Sequence, residues 1–391
     1  MIGQTPLSHI VNVLGTITTP IGRSTNLSVL MAFAFLGALL VLFAAAVVMP
    51  GYGYDLVPYM GAVFQANGLP AAQVHEQAWS TMRGFAPPEI YAGLANGDDY
   101  RKAQSGTPAA FESVLPLYSV KLGYIWLLQA GSSFTTLPKF AVFASHIAGF
   151  AMGLTALFWM ARRRILHAAP IIFAVLMLGN YFELLRNAGP DIIASAFILI
   201  GLWLWSSSRD WAAMAVFLIA CLFRPDTFVL LIALTMAGAL LKQRWFPALV
   251  STFVALAVSV AIAKSVGHPG WWTHYYFSNV TIQNTLVGFA PSFEIIGWAK
   301  GMARGIWMSL TEFNWPYMLI ASLGMVIALA QSGKTFSATQ TAMILAMVLT
   351  VGGKFLLFPL PDERLYTVFI LALALTLFEV WRPNFAWANK S

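Results

Sequence analysis

Asp55 stands in the segment Pro50–Tyr59 (PGYGYDLVPY), a lone carboxylate just past a long apolar run and flanked by Tyr52, Tyr54 and Tyr59. An acid at a water–lipid boundary suits general-base chemistry, taking a proton from a hydroxyl. A solvated helix cap fits the same position. Further along lie His75 beside Glu76, then Glu89, Asp98, Asp99 and Glu112. Glu112 precedes Pro116-Leu117-Tyr118 by four residues, and carboxylates drawn from two parts of one loop can converge on an oxygen-preferring divalent cation such as Mg or Mn. Near the C-terminal end, Pro361-Asp362-Glu363-Arg364-Leu365-Tyr366 opens the last apolar run. Arginine at a helix start opposes the helix dipole, so Arg364 calls for an anion, either a phosphate or its neighbours Asp362 and Glu363. Lys354 adds a second cation, unless it only snorkels to the interface.

Two turns echo each other. Arg186-Asn187-Ala188-Gly189-Pro190-Asp191 and Arg224-Pro225-Asp226 each put a cation at a helix end and an acid just after a proline. Pro and Asp in a first helical turn are favourable on local grounds alone, which accounts for both acids without any site. Arg186 also pairs readily with Glu183, three residues before it. Trp271-Trp272-Thr273-His274-Tyr275-Tyr276-Phe277 offers aromatic faces that stack on sugars, in a composition equally typical of a membrane-interface belt.

The elements that position these residues are apolar helices. The 391 residues are 59% hydrophobic and 9% charged, with mean hydropathy +0.73. A soluble domain carries roughly 25% charged residues, so a water-soluble core is excluded. Ten apolar runs are read as spans: Leu27–Met49, Phe140–Met160, Ala169–Leu185, Ile192–Trp205, Trp211–Phe223, Thr227–Leu241, Pro247–Val266, Trp315–Ala330, Ala338–Leu357 and Leu365–Val380. The first is too long for a signal-peptide core and is read as a retained helix. Two polar-aromatic connections interrupt the series, at 50–138 and 267–314. Within the first, Pro116–Gly131 is short for a span, contains Lys121 and reads as a re-entrant or interfacial helix.

With that parity, Arg23, Arg162, Arg163, Arg164, Arg209, Lys242, Arg244, Lys334, Arg382 and Lys390 share one side with only Asp210 and Glu379. Basic short loops are cytoplasmic, so both termini are expected inside and both long connections outside. The expectation is one all-α polytopic membrane domain over 1–391, of about ten transmembrane helices, in a bacterial-type inner membrane.

In four features the chain resembles the GT-C superfamily of integral membrane glycosyltransferases, including protein O-mannosyltransferases and aminoarabinose transferases acting on lipid A. These are Gly53-Tyr54-Asp55-Leu56-Val57-Pro58-Tyr59 after the first helix, Glu112 ahead of Pro116-Leu117-Tyr118, Gly189-Pro190-Asp191 at a helix start, and the Pro361–Tyr366 segment. The resemblance covers nearly the whole chain. It departs from the family in Leu56, where many members follow the first acid with glutamate, in a one-residue-longer spacing to Glu112, and in having no large soluble C-terminal domain. It implies a GT-C-like bundle with interfacial helices in the first outer loop. It also implies transfer of a sugar from a polyprenyl-phosphate donor to a glycan, lipid or protein acceptor. Asp55 and Glu112 take the catalytic positions, and Arg364, with Lys354 and Arg186, the donor phosphate. Tyr54, Tyr59, His75, Glu76, Asp191, His274 and Tyr366 complete the expected cavity.

Other classes fit less well. No Gly-rich strand-to-helix fingerprint for a nucleotide occurs, as a lipid-linked donor would permit. The cations are not interleaved with aromatics in a soluble segment, so the net charge of +7 does not point to nucleic acid. Cys221, the single cysteine, lies in an apolar run and reads as a small buried hydrophobe. A transporter or lipid flippase is the main rival, and it predicts internal repeats and ionisable groups near the midplane. A nonenzymatic assembly subunit would tolerate loss of Asp55.

Overall fold

The structure is a computed structural model that describes residues 25–381. Both termini, with Arg23, Arg382 and Lys390, lie outside the described residues. Within them the chain forms 19 α-helices and no strand. Helix α1 (Thr25–Val48) leads into six short helices: α2 (Leu56–Ala66), α3 (Ala71–Phe85), α4 (Pro88–Asn96), α5 (Asp99–Gly106), α6 (Pro108–Ser119) and α7 (Leu122–Gly131). Then come α8 (Leu137–Arg163), α9 (Ala169–Leu178), α10 (Tyr181–Arg186), α11 (Pro190–Ser206), α12 (Asp210–Phe223), α13 (Phe228–Leu240) and α14 (Trp245–Ser265). The series ends with α15 (Trp271–Asn279), α16 (Ile295–Glu312), α17 (Trp315–Gln331), α18 (Ala338–Leu357) and α19 (Thr367–Val380).

Four helices, α1, α8, α14 and α18, are long and apolar enough to cross a membrane, and α16 with α17 make a fifth candidate bent by 81°. Their outer faces are apolar: Phe33, Val41 and Val48 on α1 and Phe253 and Val260 on α14 stand exposed. Such faces are stable against hydrocarbon rather than water. The chain is a helical membrane protein. The remaining apolar helices, among them α9, α11, α12, α13 and α19, are shorter, at 10–17 residues including any 3-10 turn that leads into them.

Helix α19 forms the centre. Every residue from Thr367 to Phe378 is buried, as expected of a helix apolar all round. It packs against α9, α11, α17 and α18. Tyr366, just before it, stacks on Trp315 with ring centroids 4.2 Å apart. Arg364 is therefore carried on a short segment locked to the middle of the bundle.

All ten apolar runs are helical, but the third is not one helix. Ala169–Leu185 breaks at Gly179 and Asn180, where Asn180 takes a left-handed conformation (φ 58°). A side chain at 179 would collide with Thr367, whose hydroxyl lies 2.8 Å from the Gly179 carbonyl oxygen. Close approach to the central helix thus ends α9 and redirects the chain through α10 into the Gly189-Pro190 start of α11. The Pro116–Gly131 stretch also splits, at Val120 and Lys121, between α6 and α7. The connection at 267–314 contains two helices, α15 and α16, where a long polar-aromatic link was expected.

Candidate functional site

Gly51 donates its backbone N–H to the Arg186 carbonyl at 2.9 Å, tying the end of α1 to the turn before α11. This bridge sets Asp55, one turn further on, opposite Asp191. Asp55 immediately precedes α2, yet its carboxylate makes no capping hydrogen bond. Instead it accepts from the Tyr118 hydroxyl at 3.1 Å and from the Arg364 guanidinium at 3.1 Å. Position 55 is not serving as a cap.

Arg364 is shared. The nitrogen that meets Asp55 also lies 3.3 Å from Asp191, and its Nε is 2.9 Å from Asp362. Asp191 in turn accepts from Arg224. Arg224 grips Asp226 with two nitrogens, at 2.9 and 3.0 Å, and Lys354 donates to the same carboxylate. Asp191 and Lys354 are 8% and 6% exposed, so each would be costly to bury without its counter-charges. The result is a continuous chain of charge from Asp55 through Arg364, Asp191 and Arg224 to Asp226 and Lys354.

One end of this chain lines a cavity of about 320 Å³. Its walls include Tyr54, Asp55, Tyr59, Glu183, Asn187, Asp191, Asp362 and Arg364. That volume is at the lower end of small-molecule sites, about 300–1,000 Å³. The chemistry available is a carboxylate that accepts protons, beside a guanidinium that binds an oxyanion.

Lys121 lies against two tyrosines of the site. Its ammonium lies over the rings of Tyr59 and Tyr118, 5.3 and 5.0 Å from their centroids, and donates to the Leu117 carbonyl at 3.2 Å. Burial, then the nearby Arg224, pulls its pKa from 10.5 down to about 8 against the opposing pull of Asp55 and Asp191. Burial, then the charge of Asp55, pushes the Tyr118 phenol well above its ordinary value, so Tyr118 remains a donor to Asp55.

Of the residues singled out from sequence, Tyr54, Asp55, Tyr59, Asp191 and Arg364 come together on the cavity, and Lys354 joins through Asp226. The others stand apart. Glu112 and Glu76 are exposed on α6 and α3 and do not line it. His75 is within 3.1 Å of the Gln104 carbonyl, and Gln104 reaches Asn284 of the second connection, so this pair joins the two loops. Arg186 pairs with Glu183 at 3.3 Å. Tyr366 is fully buried and donates to the Leu360 carbonyl. His274 contacts His268 at 3.3 Å; burial, then His268, lowers its pKa to about 3, so it is neutral near pH 7. Among the described residues no three His, Cys, Asp or Glu side chains gather as metal ligands, and the cavity's acids are engaged by arginines. Its donor set does not fit a divalent cation, and the steps below use the chain's own groups.

Arg224, Asp226, Lys121 and Tyr118 are participants that sequence reasoning left without a role. The echo of Arg186–Asp191 in Arg224-Pro225-Asp226 was a usable signal for the first, since both turns feed one network. No family model, curated protein or solved structure matches the chain.

Proposed function

We propose that the chain is a GT-C-type glycosyltransferase of about ten spans that transfers a sugar from a polyprenyl-phosphate donor to a hydroxyl acceptor at the outer face of a bacterial-type inner membrane. The observation that carries this reading is the meeting of Asp55 and Arg364 at 3.1 Å on the wall of one cavity, although they stand 309 positions apart. The short helices α2 to α7 agree with an interfacial layer over such a site.

In the reaction, the acceptor oxygen attacks the anomeric carbon as Asp55 takes its proton. The bond from that carbon to the phosphate oxygen breaks with its electron pair, leaving polyprenyl phosphate and an inverted linkage. Arg364 neutralises the charge that builds on the departing phosphate, with Arg224 behind it through Asp191. Glu112, being exposed, has no part in these steps.

The test supplies membranes containing wild type, Asp55→Asn or Arg364→Ala with a panel of radiolabelled polyprenyl-phosphate sugars and scores label passed to any acceptor. Transfer by wild type, lost in both folded variants, is the expected outcome. A second reading, movement of a lipid or solute across the membrane, is favoured by the two broken helix pairs, α9–α10 and α16–α17. Flux through vesicles with no donor consumed would decide for it.

A further inference from the structure

Helix α16 has three distinct faces. Gly297, Gly301, Gly305 and Ser309, each four residues from the next, are buried along one seam. A side chain on Gly301 would strike Tyr275, and one on Gly305 would strike the backbone of Pro359, so this face is closed against the protein. Opposite the seam, Ile296, Ile306, Trp307 and Leu310 are exposed. Lys300 and Arg304, one helical turn apart, lie together on the flank of that apolar face and are also exposed. The helix's acids, Glu294 and Glu312, stand only at its two ends.

Orientation follows from the 81° bend between α16 and α17. If α17 runs along the membrane normal, α16 lies nearly flat on the bilayer. Its apolar outer face then meets acyl chains while the Lys300–Arg304 flank meets the headgroup layer, the arrangement of an interfacial amphipathic helix. Water alone would leave Trp307, 69% exposed, and Ile296, 66% exposed, without any cover.

We infer that α16 is an in-plane membrane helix whose Lys300 and Arg304 bind the phosphate headgroups of anionic phospholipids. The occupant is the bilayer surface, because two cations of like sign flank an exposed apolar face on a helix that forms, with α17, the bent candidate pair. The inference is independent of any transferase activity.

Spin labels test it in the full chain reconstituted into vesicles, with the buried Cys221 replaced by Ala. Labels at Ile296→Cys, Ala303→Cys and Trp307→Cys are expected to be accessible to oxygen and shielded from a water-soluble nickel complex, with the reverse at Lys300→Cys and Arg304→Cys. In a separate assay, Lys300→Gln and Arg304→Gln are each expected to lower the preference of the purified protein for phosphatidylglycerol over phosphatidylcholine about fivefold, as for removal of one cation near a charged membrane. Nickel access across the apolar face would overturn the proposal. Shielding of all five positions from both reagents, as under a protein partner, would also overturn it, as would unchanged lipid preference in folded double variants.

Discussion

The two ends of the helical bundle use the same residue types in different ways. At the end away from the cavity, Glu379 accepts from Trp159 at 2.6 Å and pairs with Arg163 at 3.1 Å, while Arg163 also caps the Ser206 carbonyl. Arg244 similarly binds Asp210 at 3.0 Å and the Trp205 carbonyl, with its guanidinium over the Trp205 ring. Arg163 and Arg244 each bind one acid, a backbone carbonyl and a side-chain hydroxyl, fastening one helix terminus to another. At the cavity end, Arg364 contacts three acids and Asp191 serves two arginines. Fixed pairs staple, whereas shared ones can exchange a partner for an arriving anion.

The comparison breaks if variants at the two ends behave alike. The largest effect expected is a 10²- to 10³-fold loss of transfer in Arg364→Ala, the usual scale for removing one donor to a developing oxyanion, with little change in thermal midpoint. In contrast, Glu379→Ala should leave the transfer rate of folded protein intact and cost about 1–2 kcal/mol of stability, because Trp159 loses its acceptor and Arg163 its acid. Denaturation of the two variants in the same detergent separates the cases. A fall in stability for Arg364→Ala as large as that for Glu379→Ala would make the cavity end another staple.

Smaller effects sharpen the picture. Tyr118→Phe removes one hydrogen bond to Asp55, worth about 1 kcal/mol, and should slow transfer about fivefold. Lys121 governs an effect on stability rather than on rate. With its folded pKa at about 8 and an ordinary value of 10.5, the unfolded chain holds more protons between those limits. Stability therefore gains a contribution as pH rises from 8 to 10.5. Subtracting the thermal midpoints of Lys121→Met from those of wild type should reveal that rise, and a flat difference would show that Lys121 keeps its charge.

Hydropathy placed helix at all ten apolar runs, because burial of apolar surface is written directly into composition, while four of the described helices are long and apolar enough to cross a membrane and one bent pair makes a fifth candidate. It missed the break at Gly179 and Asn180, which depends on one left-handed residue and on the proximity of Thr367 from a distant helix. Helix α16 escaped notice for a different reason: its glycines, Lys300 and Arg304 dilute the apolar signal. Asp55, Asp191 and Arg364 were legible as charges at helix ends, and their meeting across the bundle was an expectation that chain order alone could not supply. Arg224 was hidden by a sufficient local explanation, since Pro225 and Asp226 suit a helix start. Glu112 misled through its neighbours: Phe111 turns into the core, which faces the adjacent acid outward on α6.

The bond between Arg364 and Asp55 has a kinetic consequence for the proposed reaction. Each blocks the other, the carboxylate occupying the place of a phosphate on Arg364 and the guanidinium occupying one oxygen of the carboxylate. An arriving donor phosphate that takes Arg364 would release Asp55 in the same event. Binding order would then be compulsory, with the lipid donor first and the acceptor second. An acceptor entering alone would meet a base already engaged by Arg364, so its deprotonation would wait for the donor.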